Sequence, residues 1–213
     1  MKVSKLQKIL SYLIPVKIWK GSGTHHSVLE LFLSNGQWQL STEDAIYSDG
    51  TRYRPLLAAF KKIKLRLPGV KSVLFLGSGI GSGAQILNEM GFYPEIALVD
   101  NDVEVLRLAK KLLPPQKLRF ECVDANEFIE ISTENFDLIV IDLFLGRVTV
   151  PYVSTAGFIE KCRQRLLVGG IIVVNFMVNS KEDQKQFEFL SKNLLPASEV
   201  IDLGINKVIV TTT

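Results

Sequence analysis

The residues with the clearest chemical potential are the glycines of Leu76-Gly77-Ser78-Gly79-Ile80-Gly81-Ser82-Gly83. An apolar, β-branched run precedes them and a helical pattern follows. Gly77, Gly79 and Gly81, with Ser78 between, let the backbone turn tightly and approach a ligand without a Cβ in the way. The helix behind them presents unpaired N–H groups. Asp100 closes the next apolar run, 19 residues after Gly81, where a carboxylate can accept both hydroxyl hydrogens of a ribose. Asp124, followed by Ala125, closes the third run, where the exocyclic amine of a purine would need an acceptor. Two acids at successive strand ends suit an adenosine held at sugar and base.

The loop spacing separates two nucleoside classes. Dinucleotide sites favour G-x-G-x-x-G, whereas a glycine stands here where that pattern has its second free position after the middle glycine. G-x-G-x-G is the spacing of proteins that bind S-adenosylmethionine-type ligands. No lysine or arginine lies in either loop to meet a pyrophosphate. An adenosyl-sulfonium fits better than NAD.

The elements that must position these residues are legible from apolar periodicity. Ser72–Leu76, Ile96–Val99, Leu118–Val123, Leu138–Ile141 and Ile171–Val174 are short, nearly continuous apolar runs, as buried parallel strands require. Helical patterns lie between them at Ala84–Met90, Val103–Leu113, Asn126–Ile131 and Thr155–Leu167. Such alternation predicts a parallel sheet with helices on both faces. Glu199–Leu203 and Lys207–Thr211, joined by Gly204-Ile205-Asn206, predict an antiparallel close. Upstream, Ser27–Leu33 and Gln37–Ser41 flank Asn35-Gly36, a hairpin signal. A helix with Leu56, Leu57, Phe60, Ile63 and Leu67 on one stripe then leads into the sheet. The segments are a basic amphipathic arm (1–26), a hairpin segment (27–50) and a Rossmann-like domain (51–213).

The 213 residues, 47% of them hydrophobic, suffice for one core with a small appendage. No apolar run nears the roughly 20 residues of a membrane span, which predicts a soluble protein. The net charge of +3 is uneven: residues 1–20 hold five lysines and no acid, so the remainder is at −2. A mildly acidic body argues against nucleic acid as the main ligand. Leu6, Ile9, Leu10, Leu13 and Ile14 recur at helical spacing until Pro15, and predict an amphipathic helix. It would pack on the domain or on a partner subunit, so a homodimer stays open, or lie on a membrane surface. Ser11 and Pro15 interrupt it too early for a signal peptide. Trp19 and Trp38 are assigned to packing of that arm and of the hairpin. His25-His26 lacks a third ligand at a sensible spacing and predicts a solvated loop, so no metal is expected. Arg52, Tyr53 and Arg54 begin a helix. Cys122 and Cys162, on apolar segments, are expected to be reduced core thiols of a cytoplasmic protein.

Residues 72–175 resemble the core of class I methyltransferases, in particular spermidine synthases and their relatives, in VLFLGSGIGSG, LVDNDVEVLRLAKKLLP, RFECVDANEFI, FDLIVIDLF and LLVGGIIVVNF. NGQWQLSTEDAIYSDG is similar to that family's N-terminal hairpin and tyrosine-bearing segment. The resemblance implies a seven-stranded, mostly parallel sheet with an antiparallel last strand. It implies a site in which Asp100, with Asn101 beside it, binds the ribose, and Asp124 with Ala125 the adenine edge. Asp142 falls on the family's catalytic acid.

Three positions depart from that pattern. The family carries an Asp in the glycine loop and a D-x-x-D pair after the fourth strand; Ile80 and Leu145 stand at the first of these and at the pair's second acid. Asn175 stands where a glutamine is expected. An ammonium buried against Ile80 or Leu145 would lack a counter-charge. The acceptor side retains Asp142 as a proton acceptor and Tyr47, Ser48 and Asp49 around it. The sequence therefore favours methyl transfer from S-adenosylmethionine to a small acceptor. The alternatives are a divergent aminopropyltransferase using decarboxylated S-adenosylmethionine, and a nucleoside-binding or interaction protein without turnover.

Overall fold

A computed structural model describes residues 1 and 3–212; Lys2, one of the arm's five lysines, and Thr213 lie outside the described residues. The chain begins with a short helix, α1 (Lys5–Leu10), and four strands: β1 (Val16–Gly21), β2 (Leu29–Ser34), β3 (Gln37–Ser41) and β4 (Ile46–Ser48). These form an antiparallel sheet in chain order. Asn35 and Gly36, both at positive φ, make the two-residue turn that sets Ser34 opposite Gln37.

The arm differs from its expectation. The helix stops at Leu10 and buries none of its residues, because so short a helix before Pro15 is marginal without packing. Val16–Gly21 is a strand instead, and Trp19 lies on it opposite Leu31 with the Arg107 guanidinium 5.8 Å from its ring. Buried Ser11 ties the arm to the hairpin: its carbonyl accepts from Asn35 N at 2.7 Å and its hydroxyl from Gly36 N at 3.1 Å.

The larger sheet alternates with helices as the periodicity predicts. Its elements are α2 (Arg54–Lys62), β5 (Ser72–Leu76), α3 (Ser82–Glu89), β6 (Glu95–Asp100), α4 (Val103–Leu112), β7 (Leu118–Cys122), α5 (Ala125–Ile131) and β8 (Phe136–Ile141). A small ribbon, β9 (Phe144–Leu145) and β10 (Val148–Thr149), precedes α6 (Ala156–Gln164), β11 (Leu166–Met177), α7 (Lys181–Phe189), β12 (Glu199–Leu203) and β13 (Asn206–Thr212). The strand order is β12-β13-β11-β8-β5-β6-β7. Pairings from β11 to β7 are parallel, and β13 runs antiparallel to both of its neighbours. This is the seven-stranded sheet expected, with the closing hairpin folded back so that β13 lies inside it.

Both faces of the sheet are covered, which explains the unbroken apolar runs. Along β5, Val73 and Phe75 join one core with Phe60 of α2, Leu87 of α3 and Leu108 of α4; Leu29, Leu31 and Leu40 of the small sheet share it. Leu74 and Leu76 point to the other, with Phe128 of α5, Phe158 of α6 and Phe187 of α7. Phe60 meets Phe75 edge-on at 6.3 Å, which seats α2 and so fixes Tyr53, its N-cap, above the strand ends. Cys162 is buried, but Cys122, at the end of edge strand β7, is exposed; neither is in a disulfide. Among the described residues no helix is long and apolar enough to cross a membrane.

Candidate active site

β5 pairs with β8 on one side and β6 on the other. Crossovers leaving in both directions open a crevice at the carboxyl ends of these strands. The cleft there has a volume of about 940 Å³ counting its open mouth. Gly77, Gly79, Asp100, Asn101, Asp124, Ala125, Asp142 and Tyr47 all line it. Ser78 and Gly81 do not: Ser78 is buried with its hydroxyl on the Gly79 carbonyl, and Gly81 caps α3.

The glycine loop is pressed from behind as well as open in front. Gly77 and Gly79 have φ of +82° and +53°. A Cβ on Gly77 would sit 2.2 Å from the Asp142 carbonyl oxygen, and one on Gly79 would sit 2.3 Å from Ser48 Oγ. Ser48 Oγ also accepts from Ile80 N at 3.1 Å, and the Ile80 side chain is fully buried in the core, away from the cleft. Asp49 likewise turns aside, its carboxylate held by Arg52 and Gln39.

Asp100 anchors the loop from in front. Its Oδ2 accepts from Gly79 N at 3.0 Å and its Oδ1 from Asp102 N at 3.1 Å. Burial raises its pKa to about 6, and those two bonds hold it below what burial alone would give. Asp124 caps α5 through Oδ1, while its Oδ2 accepts from the Tyr152 hydroxyl at 3.3 Å.

Asp142, at the end of β8, sits in a directional network. The Asn175 amide donates to Asp142 Oδ1 at 2.8 Å and to the Tyr53 hydroxyl at 3.1 Å; that hydroxyl donates to the same Oδ1 at 3.1 Å. Asn206 Nδ2 donates to Asn175 Oδ1 at 2.9 Å and so orients the amide. Both donors converge on Oδ1, and among the described residues none donates to Oδ2 of Asp142, the face turned to a ligand. Burial pushes this carboxyl up to about 7, opposed by the Asn175 and Tyr53 hydrogen bonds. Burial, then the Asp142 charge, pushes the Tyr53 phenol well above its usual range, so it remains a donor.

Tyr47 contributes its ring to the cleft, and its hydroxyl is engaged elsewhere. It accepts from Gly146 N at 2.7 Å and approaches the Phe144 carbonyl at 3.4 Å, holding the β9–β10 ribbon; burial raises its pKa to about 12. His25 and His26 also line the cleft; they lie on a loop, with His25 exposed and His26 half-buried. His26 lies edge-on to Tyr47 at 4.8 Å. Burial lowers its pKa, against the opposing charge of Asp102. Asp102 is the fastening: Oδ1 caps α4 through Glu104 N at 2.9 Å, and Oδ2 accepts from Thr24 N at 2.8 Å. Sequence reasoning missed Asp102, although its N-cap position before an apolar helix was a visible signal. Among the described residues no cluster of three or more potential ligands could hold a metal ion.

The comparisons with known proteins agree with this geometry. Residues 74–174 match a family model described as a methyltransferase domain. A polyamine aminopropyltransferase of Chromobacterium violaceum is 30% identical over 126 residues, covering 56% of this chain and 48% of that protein. A probable spermidine synthase of Corynebacterium glutamicum superimposes with a TM-score of 0.75 at 18% identity, covering 91% of this chain and 79% of that one. The fold is the spermidine synthase-like form of the class I methyltransferase fold. A spermidine synthase in complex with the transition-state analogue AdoDATO shares it with a TM-score of 0.70 at 15% identity, over 92% of this chain and 73% of that one. The chain spans about half the length of the curated relatives it matches. In this spermidine synthase-like fold, the loop, the three strand-end acids and the Tyr53–Asn175 pair meet at one crevice.

Proposed function

We propose that this chain is an aminopropyltransferase, moving the aminopropyl group of decarboxylated S-adenosylmethionine to an amine. One observation carries the reading. Asp100, Asp102, Asp124 and Asp142 line the cleft, and among the described residues no lysine or arginine does. Decarboxylated S-adenosylmethionine brings two positive charges, on sulfur and on nitrogen. S-adenosylmethionine adds a carboxylate, an anion among four acids with no cation to meet it. The names of the relatives favour the same choice. Methyl transfer, which the sequence favours, rested partly on Ile80 as an apolar wall, and Ile80 is buried in the core instead. The donor set suits the adenosyl group: Asp100, beside Asn101, for the ribose, Asp124 and Ala125 for the adenine edge, Gly77 and Gly79 beneath the chain. A soluble, cytoplasmic enzyme accords with this reading.

The chain's own groups do three things. The loop and strand-end acids hold the donor, so that attack proceeds in line with the departing sulfur. Asp142 Oδ2 takes a proton from the acceptor ammonium, and a carboxyl near pH 7 suits that role. Tyr47 positions the β9–β10 ribbon above the acceptor. The free amine then forms an N–C bond as the C–S bond breaks, and the electron pair leaves on sulfur to give neutral methylthioadenosine.

Thermal-shift titration tests the donor. A ligand at 100 times its Kd adds about 2.7 kcal/mol, or roughly 5–10 °C for a chain of this size. Decarboxylated S-adenosylmethionine should give such a shift, S-adenosylmethionine a smaller one and NAD none. A larger shift with S-adenosylmethionine would overturn aminopropyl transfer in favour of methyl transfer.

A second expectation concerns pH. kcat/KM should rise with pH through the ionisation of Asp142, near 7 in the free protein. Asn175→Ala removes a donor that favours the ionised form, so the rising limb should move to higher pH. A limb unchanged in position would mean that another group takes the proton.

A further inference from the structure

α1 is capped, fastened to the body and left with its apolar face in solvent. Ser4 and Gln7 close a capping box on it, each side chain accepting from the other's backbone N–H. Winding continues past the helix, because Leu13 N and Ile14 N both donate to the Leu10 carbonyl, at 2.9 and 3.0 Å. Ser11 is buried and bonds to the Asn35-Gly36 turn. Successive helical residues are about 100° apart, so Leu6, Ile9, Leu10 and Leu13 share an arc of about 100° that points away from Ser11. Leu6 is 66% exposed, Ile9 64%, Leu13 79% and Ile14 62%. A contiguous aliphatic face of this kind marks a contact with something else.

The charge around the face selects what that is. Residues 1–20 hold five lysines and no acid. Lys17 and Lys20 both reach Glu30 of β2, whereas Lys5 and Lys8 make no ion pair among the described residues. A second copy of this chain is a poor cover, because an isologous contact sets one patch against itself and so lysines against lysines. An anionic lipid surface satisfies both parts: aliphatic side chains enter the acyl boundary and ammonium groups stay among the phosphates.

We propose that the N-terminal arm docks the protein on the surface of an anionic bilayer. α1 lies in the plane of the interface, with Leu6, Ile9, Leu13 and Ile14 inserted and Lys5 and Lys8 at headgroup level. Ser11 carries the attachment to the small sheet. So small a contact is reversible and needs both contributions. The inference is independent of the reaction in the cleft.

Co-sedimentation of the full chain with phosphatidylcholine vesicles, with and without phosphatidylglycerol, tests this. Binding should be at least about tenfold stronger to the anionic vesicles. It should be lost when salt rises from about 0.1 M to 1 M, which shortens the screening length from about 10 Å to 3 Å. The double variants Ile9→Gln/Leu13→Gln and Lys5→Gln/Lys8→Gln should each weaken it by about tenfold or more. Because α1 buries no residue, both should keep the wild-type Tm. Absence of binding to either vesicle overturns the proposal, and equal binding to both overturns the commitment to an anionic surface. A lowered Tm in Ile9→Gln/Leu13→Gln would show the face packed within the folded protein and overturn it. So would a wild-type dimer, read by sedimentation velocity, that this variant makes monomeric, because a second copy would then be the cover.

Discussion

Asp142→Asn is expected to lower turnover by about 10²–10⁴-fold while the protein becomes more stable at pH 8. The amide keeps an oxygen for the Tyr53 and Asn175 donors and offers no base at the Oδ2 position. The stability gain follows from the raised pKa. In the unfolded chain an aspartate ionises near 3.9, whereas in the native protein this group does so near 7. Between those values the native state holds the extra proton, so stability falls as pH rises. Above pH 7 the whole cost is present; below about pH 4 it is gone. The shift corresponds to roughly 4 kcal/mol at most, and solvent in the cleft reduces it to about 1–3 kcal/mol. Denaturant unfolding at pH 5 and pH 8 should show the wild type weakening between the two and the variant weakening less. Undiminished turnover would sink the proposed base. Equal pH slopes would show that Asp142 is not ionised at cost in the native state. Catalytic carboxyls held at a tuned pKa commonly trade stability for function in this way.

The parts of this site legible in the sequence are those that local chain geometry dictates. A strand, a glycine turn and a helix in succession place Gly77, Gly79 and Asp100 together whatever the rest of the molecule does, and strand ends place Asp124 and Asp142 beside them. What was not legible depends on segments meeting from far away. Tyr53 reads as the start of an amphipathic helix, and reaches Asp142 across 89 residues only because Phe60 seats that helix on Phe75. Asn206 belongs to a hairpin turn, and orients Asn175 only because β13 inserts between β11 and β12. β1 escaped notice for a local reason. Its register shifts between Lys17 and Trp19, so a bulge at Ile18 breaks the period-two alternation that marks a strand. α7 was also unread, since Lys181–Gln186 contains no apolar residue and only Phe187 of the helix is buried. That the histidine loop reaches the cleft was not legible either, because nothing near it in sequence shows that Thr24 is fastened to Asp102.

Asp100→Ala should abolish binding of decarboxylated S-adenosylmethionine and of methylthioadenosine, with a loss of affinity of about 10²–10⁴-fold. Two effects combine. The proposed ribose loses a charged acceptor for its hydroxyls, and hydrogen bonds to charged groups contribute about 1.5–3 kcal/mol each. The loop loses the carboxylate that Gly79 N donates to, so the backbone on which the ligand rests is no longer held. Asp100→Asn separates the two, because its amide oxygen can still accept from Gly79 N while the negative charge is absent. Affinity should then fall less than in the alanine variant, and its pH dependence should change. In the wild type the carboxyl titrates at about 6, and the ionised form is the one that accepts from both hydroxyls. Affinity should therefore be level above pH 7 and fall by about tenfold per unit well below 6; in Asp100→Asn that decline should vanish. Calorimetric titration with methylthioadenosine, uncharged at sulfur and lacking the aminopropyl group, isolates this site from the acids that face the cations. If methylthioadenosine binds Asp100→Ala as tightly as the wild type, the ribose is held elsewhere and the glycine loop is only a turn. If affinity is lost but has no pH dependence near 6 in the wild type, Asp100 acts by bracing Gly79 and not through its charge.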